Sequence, residues 1–181
     1  MAIEILKKYT TKPNLIKHAI AVSAAMSHFA RIAGENEEYW ATVGMLHDID
    51  YECCSQGGHC HECVAILRDE GFDEAFIRAV RSHGHELACD VEPILHMEKI
   101  LCIVDQLTGF IIACAMIRPE KKLAMVELAS MQKRWKSPSF AAGTGRERIE
   151  KWCARIGVTL DYMFVETHKA LLAVADELGL S

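Results

Sequence analysis

From Leu15 to Leu172 the apolar residues recur at intervals of three and four, and no stretch alternates apolar with polar residues for long enough to form a half-buried strand. That period lines side chains along one stripe of a helix, so the chain must bury its apolar surface by packing helix on helix. The punctuation agrees. Pro13, Pro93, Pro119 and Pro138 fall at the edges of periodic stretches, and Gly34, Gly71, Gly157 and Gly179 follow such stretches. The spacing predicts helices over 13–33, 37–48, 59–70, 73–84, 93–117, 120–135, 145–156 and 160–178. Thr144-Gly-Arg-Glu147 has capping-box spacing for the seventh. An all-α, single-domain bundle of about eight helices over 1–181 is expected.

With 181 residues, 51 % of them hydrophobic, the chain suits one domain with a sizeable core. One segment, Ile100–Ile117, is apolar enough to suggest a membrane span. Asp105, Gln106 and Thr108 interrupt it, and a carboxylate near mid-bilayer costs roughly 2.5–3.5 kcal/mol. A buried core helix in a soluble protein with no membrane partner is therefore expected. Lys7, Lys8 and Lys12 precede no apolar run with a small-residue cleavage site, so the start does not read as a secretory signal. A cytoplasmic location follows as an expectation, and with it reduced thiols for the eight cysteines. Cys102 and Cys114, inside the apolar run, read as small hydrophobes. Cys60-His61-Glu62-Cys63 is a CxxC that lacks the second CxxC of a structural zinc site and the βαβ setting of a redox motif.

The net charge of −5 speaks against a basic nucleic-acid-binding domain. The charge is unevenly spread. Residues 118–155 hold ten Lys/Arg against four Glu, a net of +6, and the remainder carries −11. Such a segment serves either as a solvated basic face or as an attractor for anions.

His47-Asp48, within Gly44-Met-Leu-His-Asp-Ile-Asp-Tyr-Glu52, begins the chemical argument. Histidine is the commonest nitrogen ligand of transition metals, and aspartate supplies an anionic oxygen that can bridge two of them. Asp105 shares a helical face with Leu101 and Thr108, inside the apolar run. A carboxylate there needs a cation, either a core Arg or Lys or a metal. His18 lies on a stripe with Leu15, Val22 and Phe29; His47 follows Trp40 and Val43; His83 follows Phe76, Ile77 and Val80. His96 and His168 also sit on apolar stripes, so stripe position alone does not select ligands.

The order His18, His47-Asp48, His59 and His61, His83, Asp105 does select. Carried by Leu15-Ile-Lys-His18, Gly44-Met-Leu-His47-Asp48-Ile-Asp50, Ile77-Arg-Ala-Val-Arg-Ser-His83 and Val104-Asp105-Gln-Leu, it resembles the HD-domain superfamily of metal-dependent phosphohydrolases over about residues 14–117. Residues 107–123 and 139–146 look like an uncharacterised branch known only as predicted HD hydrolases. The resemblance implies an HD-type helical bundle, with 118–181 packing on the metal-binding core. It implies a first metal site of His18, His47, Asp48 and Asp105. Asp48 would bridge to a second ion held by His83 and by His59 or His61, of which His59 matches the third-helix histidine better; His85 is a further candidate. The cofactor would be one or two divalent ions: Mn, Fe, Co, Ni or Zn, with Mg also allowed.

A divalent metal lowers the pKa of bound water from about 15.7 toward about 7, which provides a nucleophile for in-line attack on phosphorus at neutral pH. Asp50 and Glu52, just past the His-Asp pair, are the nearest acids for the leaving group, unless they are simply a solvated loop pair. A small phosphorylated metabolite or nucleotide is the implied substrate. In the basic segment Lys121, Lys122, Lys133, Arg134 and Arg146 are the candidate phosphate contacts. Arg146 is foremost, because it opens a helix whose dipole favours an anion, although pairing with Glu150 is the structural alternative. Two other functions suit the same residues: a di-iron oxygenase, which iron content would reveal, and an idle binding module, which a lost ligand would mark. Oligomeric state is not written in this sequence.

Overall fold

The computed structural model describes residues 1–181, and every regular element in it is helical. α1 (Ala2–Tyr9) leads to α2 (Pro13–Ala33), α3 (Glu37–Leu46), α4 (Cys63–Asp69) and α5 (Glu74–Ser82). There follow α6 (His96–Met116), a 3₁₀ turn (Leu123–Met125), α7 (Leu128–Trp135), α8 (Arg146–Ile156), α9 (Leu160–Leu172) and α10 (Ala175–Leu178). The all-α expectation is met, with more and shorter helices than the periodicity suggested.

Capping chemistry sets several of these bounds. Pro13 occupies the first turn of α2, and Gly34 closes that helix at φ 71°, a left-handed conformation that favours glycine. The side chains of Asn36, Asp73 and Thr159 each accept a backbone N–H at the starts of α3, α5 and α9. Glu98 performs the same task for α6, accepting from the N–H groups of Ile94 and Leu95 while it pairs with Arg78.

Four expectations need correction. The predicted 59–70 helix begins only at Cys63, because Cys60 turns to φ 63°. The 120–135 helix is broken by Lys121 at φ 50° and by extended backbone at Val126 and Glu127. The last helix divides at Val174, where neither glycine nor proline signals a break. The capping box at Thr144 does not form: Gly145 is the N-cap residue, and its N–H donates to Gln106 Oε1 at 2.7 Å.

α6 is the most enclosed element. It is long and apolar enough to cross a bilayer, yet thirteen of its 21 residues are buried against α2, α8, α9 and their neighbours. This is the core helix expected for Ile100–Ile117. α2 and α3 share the most extensive contact of any helix pair, and Gly44 permits it. A Cβ at that position would stand 3.0 Å from both Ser23 Cα and Val22 O. The close approach carries His18 on α2 toward His47 at the end of α3.

Arg146 is also corrected. Its guanidinium donates to the carbonyls of Trp135 (2.9 Å), Phe140 (2.5 Å), Ser137 (3.2 Å) and Ala141 (3.4 Å) and lies 5.3 Å from the centre of the Trp135 ring. Four of its five N–H donors are spent on the 135–141 loop, so its fork is not available to clasp a phosphate. Glu150 accepts from Trp135 Nε1 at 2.7 Å instead of serving Arg146. Arg146→Ala is expected to lower stability by about 2–4 kcal/mol, through lost charge-assisted hydrogen bonds and stacking. A urea midpoint equal to the parent's would contradict this bracing role.

Candidate metal centre

Five separate segments deliver the donor atoms. α2 brings His18, the end of α3 brings His47 and Asp48, the α3–α4 loop brings His59, the end of α5 brings His83, and α6 brings Asp105. The local backbone fixes how each ring faces. His47 Nδ1 donates to the carbonyl of Gly44 (2.8 Å), and His83 Nδ1 donates to that of Val80 (2.6 Å). A carbonyl can only accept, so Nδ1 carries a proton in both rings and Nε2 is the nitrogen left to face the centre. His59 is held likewise by Asp50, whose Oδ1 lies 2.9 Å from Nδ1. Such backing partners set tautomer and orientation for metal-binding histidines.

The free atoms converge on two positions. His18 Nε2 lies 3.2 Å from both His47 Nε2 and Asp105 Oδ1. Asp48 Oδ2 is 3.4 Å from His47 Nε2 and 3.7 Å from His18 Nε2. On its other side, Asp48 Oδ1 is 3.3 Å from His83 Nε2 and 3.6 Å from His59 Nε2, which are 3.2 Å from each other. With metal–nitrogen bonds of about 2.0–2.1 Å, neighbouring donors on one ion stand about 2.9–3.4 Å apart. Both sets come within a few tenths of an ångström of that spacing, and the two oxygens of Asp48 face different sets. The donors fit divalent ions.

The same packing sets the electrostatics. Burial pushes the His47 imidazole down, but Asp48 and Asp105 more than offset it and hold its pKa at about 9. Burial pushes the Asp105 carboxyl up, and hydrogen bonds from His18 and His47 reverse this and hold it well below the usual carboxylate range. Asp48 is lowered in the same way, chiefly by His47. Metal-free protein therefore keeps a proton on His47 at neutral pH, and coordination must release it. Apparent zinc affinity is expected to rise by about tenfold per pH unit from about pH 6 and to level off above about 9. Competition titration with a chelator measures this, and a flat profile would remove His47 from the ligand set.

A cleft of about 350 Å³ opens onto the centre, with Leu15, Tyr51, Leu87 and Ala88 on its walls. Other sequence candidates lie elsewhere. Asp50 is fully buried behind His59, and its Oδ2 accepts the N–H of Cys63 at 2.9 Å. Glu52 accepts from the N–H groups of Thr11 and Lys12 and from the Thr11 hydroxyl. Neither is free to protonate a leaving group: Asp50 orients His59, and Glu52 anchors the α1–α2 connection. His61 points away to the carbonyl of Ala88, and His85 turns toward Glu86. His168 is taken by the carbonyl of Leu123. Lys121 borders a second cavity, shared with His18 and Lys17, whereas Lys122, Lys133 and Arg134 are exposed.

Sequence reasoning missed Cys60, Gln106 and Arg148. Gln106 lines the cleft beside Asp105. Arg148 reaches across from α8 to the carbonyls of His83 (2.6 Å), His85 (3.3 Å) and Cys102 (3.3 Å). Cys60 is fully buried, and its Sγ stands 3.7 Å from His83 Nε2. The CxxC was the only mark of Cys60, and a basic face concealed Arg148.

Comparison with known proteins agrees with this geometry. The family described as "HD domain" matches residues 15–109, and the chain belongs to that family, within a superfamily of metal-dependent phosphohydrolases. It is also similar to Ribonuclease Y of Mesoplasma florum, with 29 % identity over 108 residues. That alignment takes in 56 % of this chain and 20 % of the relative, so the chain spans about a fifth of the relative's length. No solved structure matches.

Proposed function

We propose that the protein is a phosphohydrolase that uses one or two divalent ions at this cleft to cleave a small phosphorylated metabolite or nucleotide. The observation that carries this reading is the Asp48 carboxylate, with Oδ2 toward His47 and Oδ1 toward His83 at 3.4 and 3.3 Å. When bound, divalent ions supply a water nucleophile at neutral pH and neutralise charge on the phosphoryl oxygens. His18, His47, His59, His83, Asp48 and Asp105 hold the centre, and their backing hydrogen bonds keep it organised before substrate arrives. Leu15 and Leu87 give the cleft an apolar margin. Lys17 and Lys121, beside the adjoining cavity, offset the acidic remainder of the surface for an anionic substrate.

Metal analysis of the purified protein, followed by phosphate-release assays with that metal supplied, tests the proposal. The panel should hold monoesters and, because a relative bears the name Ribonuclease Y, phosphodiesters. Metal-dependent release that Asp105→Ala abolishes together with bound metal is expected. Failure of metal-loaded protein on both substrate classes would overturn the reading. Two bound irons with dioxygen uptake would instead establish an oxygenase.

A further inference from the structure

The second metal position has a sulfur atom beside its two histidines. We propose that Cys60 is a thiolate ligand there, joining His59, His83 and Asp48 Oδ1, so that the centre pairs a harder site with a softer one. The proposal rests on the metal-centre reading above and adds one ligand to it.

Cys60 Sγ and one ring nitrogen each of His59 and His83 lie mutually within 4.8 Å. In a tetrahedral site with metal–sulfur and metal–nitrogen bonds of about 2.3 and 2.1 Å, sulfur and nitrogen stand about 3.6 Å apart. The distance from Cys60 Sγ to His83 Nε2 is 3.7 Å. The chain is shaped around this thiol. Cys60 adopts φ 63°, unusual for a residue with a side chain, and Arg81 Nε holds its carbonyl at 2.9 Å. Opposite it, Gly84 leaves the space that Sγ fills: a Cβ there would lie 2.4 Å from the sulfur. On coordination the thiol loses its proton to solvent and the sulfur bonds to the ion; no oxidant or reductant is involved.

The first position, with His18, His47, Asp48 and Asp105, offers only nitrogen and oxygen. The second offers nitrogen, oxygen and sulfur. Thiolate favours zinc and disfavours manganese and magnesium, so the two positions should discriminate between metals.

Cobalt(II) titration of the metal-free protein tests this. As the second equivalent binds, a sulfur-to-cobalt charge-transfer band in the near ultraviolet is expected. In Cys60→Ser the band should vanish while the visible bands of the first equivalent persist, and zinc at the second position should weaken by at least about tenfold. X-ray absorption of the unmodified two-zinc protein gives a reading that does not depend on how the variant's loop folds: a sulfur neighbour at about 2.3 Å is expected. Two bound ions with no sulfur neighbour, or a charge-transfer band that survives in Cys60→Ser, would overturn the assignment of Cys60 and leave the metal centre standing. Absence of any stoichiometric metal would overturn both.

Discussion

Asp48→Ala is expected to empty both metal positions together and to abolish phosphate release. The other donors each serve one position, so their loss should spare a neighbour. Asp48 alone sends one oxygen to each, 3.4 Å from His47 and 3.3 Å from His83. Its removal also takes a negative charge from a pocket where four imidazoles converge, so the remaining donors keep less attraction for a cation. Each affinity should fall by more than about a hundredfold, beyond the range for disturbing an outer partner. An independent readout needs no metal. Asp48 is the foremost group holding the His47 pKa up at about 9, so in the metal-free variant this ring should titrate at lower pH by nuclear magnetic resonance. Retention of one full equivalent of metal in Asp48→Ala would show that the bridge does not join the two positions.

Gly44→Ala should damage the fold and one metal position at once. The new methyl would meet Met26 Cγ at 2.9 Å and, on the backbone of α2, Ser23 Cα and Val22 O at 3.0 Å. A methionine tip can swing aside; a helix backbone cannot. Overpacking of this kind costs about 1–3 kcal/mol, and the rigid contact puts this case near about 3. α3 must then ride away from α2, and with it His47 from His18, which now stand 3.2 Å apart nitrogen to nitrogen. The His59–His83 position is attached to other elements and should change less. Urea unfolding with metal affinities measured for each equivalent would show this. Unchanged stability and an intact first position would mean that the helices accommodate the methyl without separating.

Much of this architecture could be read in the residues because local chemistry and packing agree. Pro13 and Gly34 bracket α2 in the sequence as they do in space, and the apolar stripe of α6 continues through its buried length. His18, His47, Asp48, His59, His83 and Asp105 come together from five segments, where chain order pointed. The misreadings share one cause: an event that leaves no local mark. Nothing near Val174 announces that the last helix divides. α1 has only eight residues, about two turns, so its apolar period had too few repeats to declare itself. Arg146 looked like an anion site because its position in a basic helix start was legible, whereas the four carbonyls that occupy it come from a folded-back loop. Asp50 looked like a free acid because sequence proximity to His47 says nothing of burial behind His59. Reach across the bundle is likewise invisible one residue at a time, which is how Arg148 escaped notice.

That reach bears on how the metal-binding stretch can be reused. Every donor atom lies within residues 15–109, the part this chain shares with its family. Yet the segment that ends α5 depends on Arg148 from α8, and Gln106, beside Asp105, is tied to the N–H of Gly145. Phe110, buried one residue past the shared stretch, packs against Trp135 and Phe164 from α7 and α9. Transplanted alone into another scaffold, residues 15–109 would bring a complete ligand list with its scaffolding left behind. Any host would have to furnish a substitute brace. The cassette is portable as text and anchored as machinery, so the frontier of sequence likeness and the frontier of mechanical support fall in different places.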